Sequence, residues 1–409
     1  MISINEAIAI LKENIPPQEL EKWPLYLAVG LYLAEDILAP EPSPRYTNSA
    51  MDGYAVRWAD LCKLTPDRPT HLTICGESRA GEPFPKIVKV GEAVRISTGA
   101  MLPDGADTVI RVEDTREEGQ SVVISAAKKM GQDVRHRGEE FAEGDLLLRR
   151  GTRIGAPQVA LLTAVGIDQV KVFSPCKVSI LVTGSELVVT GAAIAEHQIR
   201  DSNMSMLRAA VQETEATLVS FARVSDDRQA TIVAIGKAAA DIIICTGGVS
   251  VGRHDHVKEA AEENGFTPLF WRVRQKPGKP LYFARKGKTL LFGLPGNPVS
   301  AFMCFTHYVR PLIGAISGRT FGWPMVTAKA AEEIVNRDGR PNMLRVRMSR
   351  EQEGGYVVTS GEKQGSHMLT SLAEGDWYII LEPGQSLRAG EDVFVYSYDF
   401  RREPIRREQ

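Results

Sequence analysis

From Cys176 onward the chain alternates short apolar runs with amphipathic stretches, and that rhythm restricts the fold more than any other feature. Lys177 to Val182 reads as a buried strand, Ser202 to Glu213 as a helix and Leu218 to Val224 as a strand. Thr231 to Ala239 then reads as a helix, Ile242 to Thr246 as a strand, His256 to Asn264 as a helix and Thr289 to Gly293 as a further strand. Strands alternating with helices form a mainly parallel sheet, because each crossover back to the same end of the sheet carries a helix. With helices on both faces, the expected domain is a three-layer α/β/α sandwich.

Three of the loops that follow these strands carry glycine. Thr183-Gly184-Ser185-Glu186-Leu187 follows the first, Thr246-Gly247-Gly248-Val249-Ser250-Val251-Gly252-Arg253-His254-Asp255 follows Ile242-Ile243-Ile244, and Leu294-Pro295-Gly296-Asn297-Pro298 follows a later one. Ligands bind at the carboxyl ends of parallel strands, so such loops should converge on one crevice. Glycine lets backbone approach a ligand closely, and amides at a following helix start face phosphate oxygens. Asp201-Ser202-Asn203 suits either that crevice or an ordinary helix N-cap. Lys276-Pro277-Gly278-Lys279-Pro280 places two cations on a stiff turn, since each proline fixes its own φ and biases the preceding residue toward extended backbone. That turn fits an oxyanion, and equally a solvated lysine pair.

On either side of this region the pattern changes. Ser3, Glu6 and the apolar positions Ile4, Ala7, Ile8 and Leu11 read as a capped amphipathic helix ended by Pro16 and Pro17. Short β-like runs punctuated by glycine and proline suggest a small β domain over 46–140, inserted into a discontinuous linker or helical domain of 1–45 and 141–175. The second part of that domain is expected to return onto the first helix. The α/β domain spans 176–322. Beyond Trp323, the runs Thr327 to Ile334, Met343 to Met348, Tyr356 to Ser360, Trp377 to Leu381 and Asp392 to Tyr398 suggest a C-terminal β-barrel-like domain over 323–400, followed by a charged tail at 401–409.

At 409 residues the chain exceeds the size at which one core stops growing, so two to four domains are expected. A net charge of −2 gives no overall field to attract nucleic acid, and no such partner is expected. The first residues lack a secretory-signal pattern, and no apolar run is read as approaching the roughly 20 residues that cross a bilayer. The five cysteines are scattered and never form a C-x-x-C pair. Reduced thiols in the cytoplasm, no membrane partner and no structural zinc are the expectation.

Taken together, these segments resemble the molybdopterin molybdenumtransferase family, which includes bacterial MoeA and the E domain of gephyrin. Asn48-Ser49-Ala50-Met51-Asp52-Gly53-Tyr54-Ala55 is similar to its N-terminal motif, and Ser97-Thr98-Gly99-Ala100 with Pro103-Asp104-Gly105-Ala106-Asp107 to its second. Arg137-Gly138-Glu139-Glu140, Thr183 to Leu187, Thr246 to Asp255, Lys276 to Pro280, Pro295 to Ser300 and Gly365-Ser366-His367 match in order. Glu140 departs from the pattern, since many relatives carry aspartate there.

The resemblance implies a homodimer whose active site is shared between subunits. Its substrates would be adenylylated molybdopterin and molybdate, its products the molybdenum cofactor and AMP, with Mg2+ assisting and a molybdopterin adenylyltransferase as a candidate partner. It further implies that Gly247, Gly248 and Ser250 hold phosphates, that Pro280 and Pro295, Gly296, Asn297 and Pro298 line the pterin or nucleotide pocket, and that Asp255 and Glu186 serve the metal. Lys276, Lys279, Arg345 and Ser366 would hold molybdate, Asp52, Thr98 and Glu140 would approach from the partner subunit, and Asp241 with Glu186 would position metal or water. An adenylyltransferase needs only the central domain, so the flanking β domains argue against that alternative. A protein-binding scaffold on the same fold is disfavoured by the retained Lys276, Lys279, Asp255 and Arg345.

Overall fold

The computed structural model describes residues 1–65, 67–249, 256–351, 354–361 and 363–399. Contacts divide the chain into one unit of Met1–Ala34, Gly151–Ala156 and Gln169 onward, and another of Glu35–Arg150 and Pro157–Asp168.

The larger unit is built on a six-stranded sheet in the order Thr217–Val224, Lys177–Thr183, Ile242–Thr246, Thr289–Leu294, Tyr282–Lys286, Thr267–Trp271. The first four run parallel, as the alternating pattern requires, and Tyr282–Lys286 runs against its neighbours. Alternate residues feed two cores. Val178, Ile180, Ile242 and Ile244 pack against helix Ser202–Gln212, while Leu181, Ile243 and Cys245 pack against helices Arg228–Lys237 and Val257–Glu263. The sheet is therefore covered on both faces, giving the expected three layers. Strands Thr267–Trp271 and Tyr282–Lys286 were not anticipated.

The segment Pro298–Ile316 corrects a second expectation. It is a 19-residue helix of mean hydropathy 1.2, long and apolar enough to cross a membrane, yet 94% of it is buried in the α/β core. Interior packing rather than lipid accounts for its apolar surface.

A closed barrel follows, ordered Met325–Ala330, Tyr356–Ser360, Asn342–Arg350, Trp377–Leu381, Asp392–Ser397. Buried polar bonds join it to the long helix. His307 Nδ1 lies 2.8 Å from the Tyr378 hydroxyl, Trp323 Nε1 donates to the His307 carbonyl, and Arg310 donates to the Ser397 carbonyl.

The N-terminal helix Ile4–Glu13 has the expected capping box, with Ser3 Oγ accepting from the Glu6 amide and Glu6 accepting from the Ser3 amide. Its partner differs from expectation. Ile4, Ala7 and Leu11 are buried in the α/β core, and Ile2 bonds to Arg272 and Arg274, while Gln169–Phe173 pairs instead with Leu20–Pro24. Helical periodicity marks an apolar stripe but not what covers it.

The smaller unit contains a mixed sheet ordered Thr108–Arg111, Gly53–Val56, Glu92–Ile96, Thr70–Ser78, Ser121–Ile124, Thr115–Glu118. Tyr54, Val56, Leu72, Ile110 and Ile124 fill one face of it.

Candidate functional site

The strand order reverses beside Lys177–Thr183. The chain first steps outward to Thr217–Val224, then crosses back to Ile242–Thr246 on the other side, with the two crossover helices on opposite faces. Such a switch point leaves a crevice at the carboxyl ends of the strands.

The three glycine loops meet there. The Gly247 amide donates to the Leu294 carbonyl at 3.3 Å, and Thr183 Oγ1 donates to the Thr246 carbonyl at 3.5 Å. Gly247 has φ +84°, and a Cβ on it would lie 2.5 Å from the Thr183 carbonyl oxygen, so only glycine permits this approach. Asn203 reaches both later loops, donating to Thr246 Oγ1 at 3.0 Å and to the Gly296 carbonyl at 2.8 Å. Asp201 is the helix N-cap, accepting from the Met204 amide. Ser250 and Asp255 lie outside the described residues.

The Lys276–Pro280 turn occupies the same end of the sheet, because the strand it enters begins with Tyr282 paired to Gly293. A buried lattice holds it. Gln275 Nε2 donates to the Gly278 carbonyl, the Tyr308 hydroxyl donates to Gln275 Oε1, and a Cβ on Gly278 would lie 2.4 Å from Cys304 Sγ. Pro280 is half-buried and Lys279 exposed. Lys276 is paired with Asp338 at 3.1 Å, and Arg340 and then Lys276 hold that carboxyl below its usual range.

Pro295 is buried, Gly296 and Asn297 are exposed, and Pro298 opens the long helix. Asn297 Nδ2 donates to Ser366 Oγ at 3.2 Å, and the Ser366 carbonyl accepts from the Val299 amide. The barrel thus delivers Ser366 to the third glycine loop. Arg345, only 2% exposed, supports that delivery by donating to Ser371 Oγ and to the carbonyls of Lys363 and Gly365. Burial lowers its pKa from the usual guanidinium value. Arg345 is thus an anchor of the 363–366 loop, and it lines a cavity of about 400 Å³ with Arg347, Lys363 and Ser371.

Glu186 is exposed on the first loop. Asp241 is not brought to this end. It precedes Ile242–Thr246, and its carboxylate accepts from the Lys177 amide at 2.7 Å at the amino ends of the strands. Asp226 takes the corresponding place at the carboxyl end of Thr217–Val224, accepting from the Ser185 amide at 2.8 Å while its own amide donates to Ser185 Oγ. Sequence reading missed Asp226, although an acid just after a parallel strand points to this end and one just before points away.

The remaining candidates lie in the smaller unit. Asp52 Oδ1 accepts from the Thr98 amide at 2.7 Å and from the Thr98 hydroxyl at 3.1 Å, with both residues exposed. Glu140 is exposed and accepts from the Ser43 hydroxyl at 2.7 Å, so its longer side chain bonds the separate segment around Ser43 that lies alongside.

The fold and loop arrangement define a doubly wound, ligand-binding α/β protein extended by two β modules. Residues 2–166 match the MoeA N-terminal region (domain I and II), 179–315 a probable molybdopterin binding domain, and 327–398 the MoeA C-terminal region (domain IV). The chain belongs to the molybdopterin molybdenumtransferase family. It is 34% identical to the molybdopterin molybdenumtransferase of Haemophilus influenzae, covering 98% of this chain and 99% of that protein. The Bacillus subtilis protein of the same name is 32% identical over 96% of this chain and 93% of its own. A crystal structure of the molybdopterin biosynthesis MoeA protein from Pyrococcus horikoshii superposes with a TM-score of 0.84 at 31% identity, covering 97% of this chain and 99% of that one.

Proposed function

We propose that this chain is a transferase that inserts molybdate into adenylylated molybdopterin, releasing AMP and yielding the molybdenum cofactor. The observation that carries this reading is the gathering of the glycine loops, the Lys276–Pro280 turn and the barrel's Ser366 at one end of the sheet. The Gly248 backbone, in the turn whose Gly247 amide is held by the Leu294 carbonyl, suits the phosphate of an adenylate, and the exposed loop Gly296–Asn297 offers polar groups to the pterin or nucleotide. A tetrahedral dianion needs cations and hydroxyl donors. Lys279, Lys276 and Ser366 supply them, and Arg345 holds the loop that carries Ser366. Fixing both substrates in one crevice lets water cleave the pyrophosphate bond, leaving AMP and the phosphomonoester of the pterin, beside the dithiolene sulfurs that take the metal.

A magnesium ion fits this donor set. A small hard cation keeps several waters and takes one or two carboxylates plus substrate phosphates, so it needs no all-protein cage. No cluster of three or more ligating side chains exists among the described residues. Glu186, beside the Ser185–Asp226 pair, and Asp255 beyond the described residues are the proposed ligands; the ion would offset negative charge on the phosphates.

Asp52, Thr98 and Glu140 are assigned to a site completed by a second copy of the chain, making the enzyme a homodimer. A cytoplasmic setting and hand-over from a molybdopterin adenylyltransferase complete the reading. Incubating purified protein with adenylylated molybdopterin, Mg2+ and molybdate should give molybdate-dependent AMP release, and its absence would overturn the reading. Mixing Asp52→Ala and Asp255→Ala chains should restore activity through heterodimers carrying one intact site. Sedimentation as a fully active monomer would remove the shared site.

A further inference from the structure

The side chain of Asn203 does more than occupy the first turn of its helix. It is 8% exposed, and its single amide group spans the ends of two different strands. One N–H goes to Thr246 Oγ1, at the end of Ile242–Thr246. The other goes to the Gly296 carbonyl, in the loop after Thr289–Leu294. Thr246 Oγ1 in turn donates to the Pro295 carbonyl at 3.2 Å, which closes a ring of hydrogen bonds over the two glycine loops. The orientation of the amide is settled by chemistry: a backbone carbonyl only accepts, so the atom 2.8 Å from Gly296 O must be the NH2. Among the described residues Asn203 Oδ1 is buried with no hydrogen-bond partner, so the hydrogen bonds the side chain makes to them are those two donations.

We propose that Asn203 is a positioning residue for the transfer reaction, setting the separation between the Gly247–Gly248 turn and the Pro295–Asn297 loop and thereby the geometry in which adenylate is held. This rests on the function proposed above. The chain of contacts runs past the ring itself, because Asn297, the next residue after Gly296, is the one that bonds Ser366. A shift of Gly296 therefore moves the contact between the α/β domain and the barrel's loop. A residue that only stabilised the core would alter melting temperature without altering the affinity or turnover of the folded protein.

The isosteric change Asn203→Asp tests this without opening a cavity. It places a carboxylate oxygen against the Gly296 carbonyl, replacing attraction by repulsion, whereas a protonated aspartic acid can again donate there. Asn203→Ala removes both donors. AMP binding by titration calorimetry, steady-state AMP release and thermal melts are measured on full-length protein from about pH 8 to about pH 6. A misplacement of the order of an ångström costs about a hundredfold in rate. Asn203→Asp should lose turnover on that scale at pH 8 and bind AMP at least about tenfold more weakly, then recover part of both as the pH falls and the buried acid protonates. Asn203→Ala should be impaired with no such recovery. Variants that match the parent in AMP affinity and turnover per folded molecule would overturn the inference alone. A parent that neither binds nor releases AMP would overturn the proposed function and this inference with it.

Discussion

Lys276 Nζ lies 3.1 Å from Asp338 Oδ2, so one lysine of the Lys276–Pro280 turn is already held by a carboxylate, while Lys279 is exposed and has no ion pair among the described residues. A carboxylate beside a cation competes with an incoming dianion. Asp338→Asn should therefore lower the apparent KM for molybdate by about two- to fivefold, the scale of one partly exposed ion pair. AMP release at varied molybdate measures it. An unchanged or raised KM would place Lys276 away from the oxyanion.

Arg345 presents a different case, since its guanidinium is buried and bonded to two carbonyls of the loop that carries Ser366. Charge-assisted bonds of this kind are worth roughly 1.5 to 3 kcal/mol, so Arg345→Ala should weaken apparent molybdate affinity about ten- to hundredfold. Lysine cannot reproduce the forked donors, and Arg345→Lys should be nearly as impaired. High molybdate should rescue Arg345→Ala but not Asp255→Ala. Identical molybdate responses in the two variants would show this division of roles to be wrong.

Two aspartates at opposite ends of the sheet give a paired test. Asp226, at the carboxyl ends, holds Ser185 of the loop that carries Glu186, so Asp226→Asn should reduce AMP release about tenfold at saturating substrates by loosening that loop. Asp241→Asn, at the amino ends, should keep turnover within about twofold and lower the melting temperature by a few degrees, because the Lys177 amide loses a charged acceptor. The reverse pattern would move the site to the other end.

How far the sequence alone could reach is visible in these residues. The glycine loops were legible because parallel-strand rhythm and glycine both act through local backbone, and the structure does bring the loops together. Asp241 was misplaced by attending to residue type rather than to which side of its strand it occupies. Strands Thr267–Trp271 and Tyr282–Lys286 escaped notice because Pro268 interrupts one and Arg285-Lys286 ends the other, leaving a weak apolar signal. The burial of Arg345 and the span of Asn203 depend on contacts between segments far apart in the chain, which no local pattern encodes.

The interface between long helix and barrel should be sensitive to acid. Burial pushes His307 down to about 3, with nearby Arg310 adding to the effect, so the folded state holds the ring neutral. Because the folded pKa lies below the unfolded one of about 6.5, this contribution to stability is fully present above about pH 6.5 and is lost as pH falls toward 3. His307→Phe should be less stable than the parent at pH 7, having lost the Tyr378 bond, yet should lose less further stability between pH 6.5 and pH 4. Denaturant midpoints across that range decide it, and parallel losses in the two proteins would rule out His307 as the titrating group.

The most direct test of the proposed chemistry is a single-turnover reaction of purified protein with adenylylated molybdopterin, Mg2+ and limiting molybdate. AMP released and molybdenum bound in the pterin product are quantified from the same sample. The account predicts the two in a one-to-one ratio, with neither formed when molybdate is omitted. AMP released at the same rate without molybdate, or metal incorporated with the adenylate intact, would contradict it.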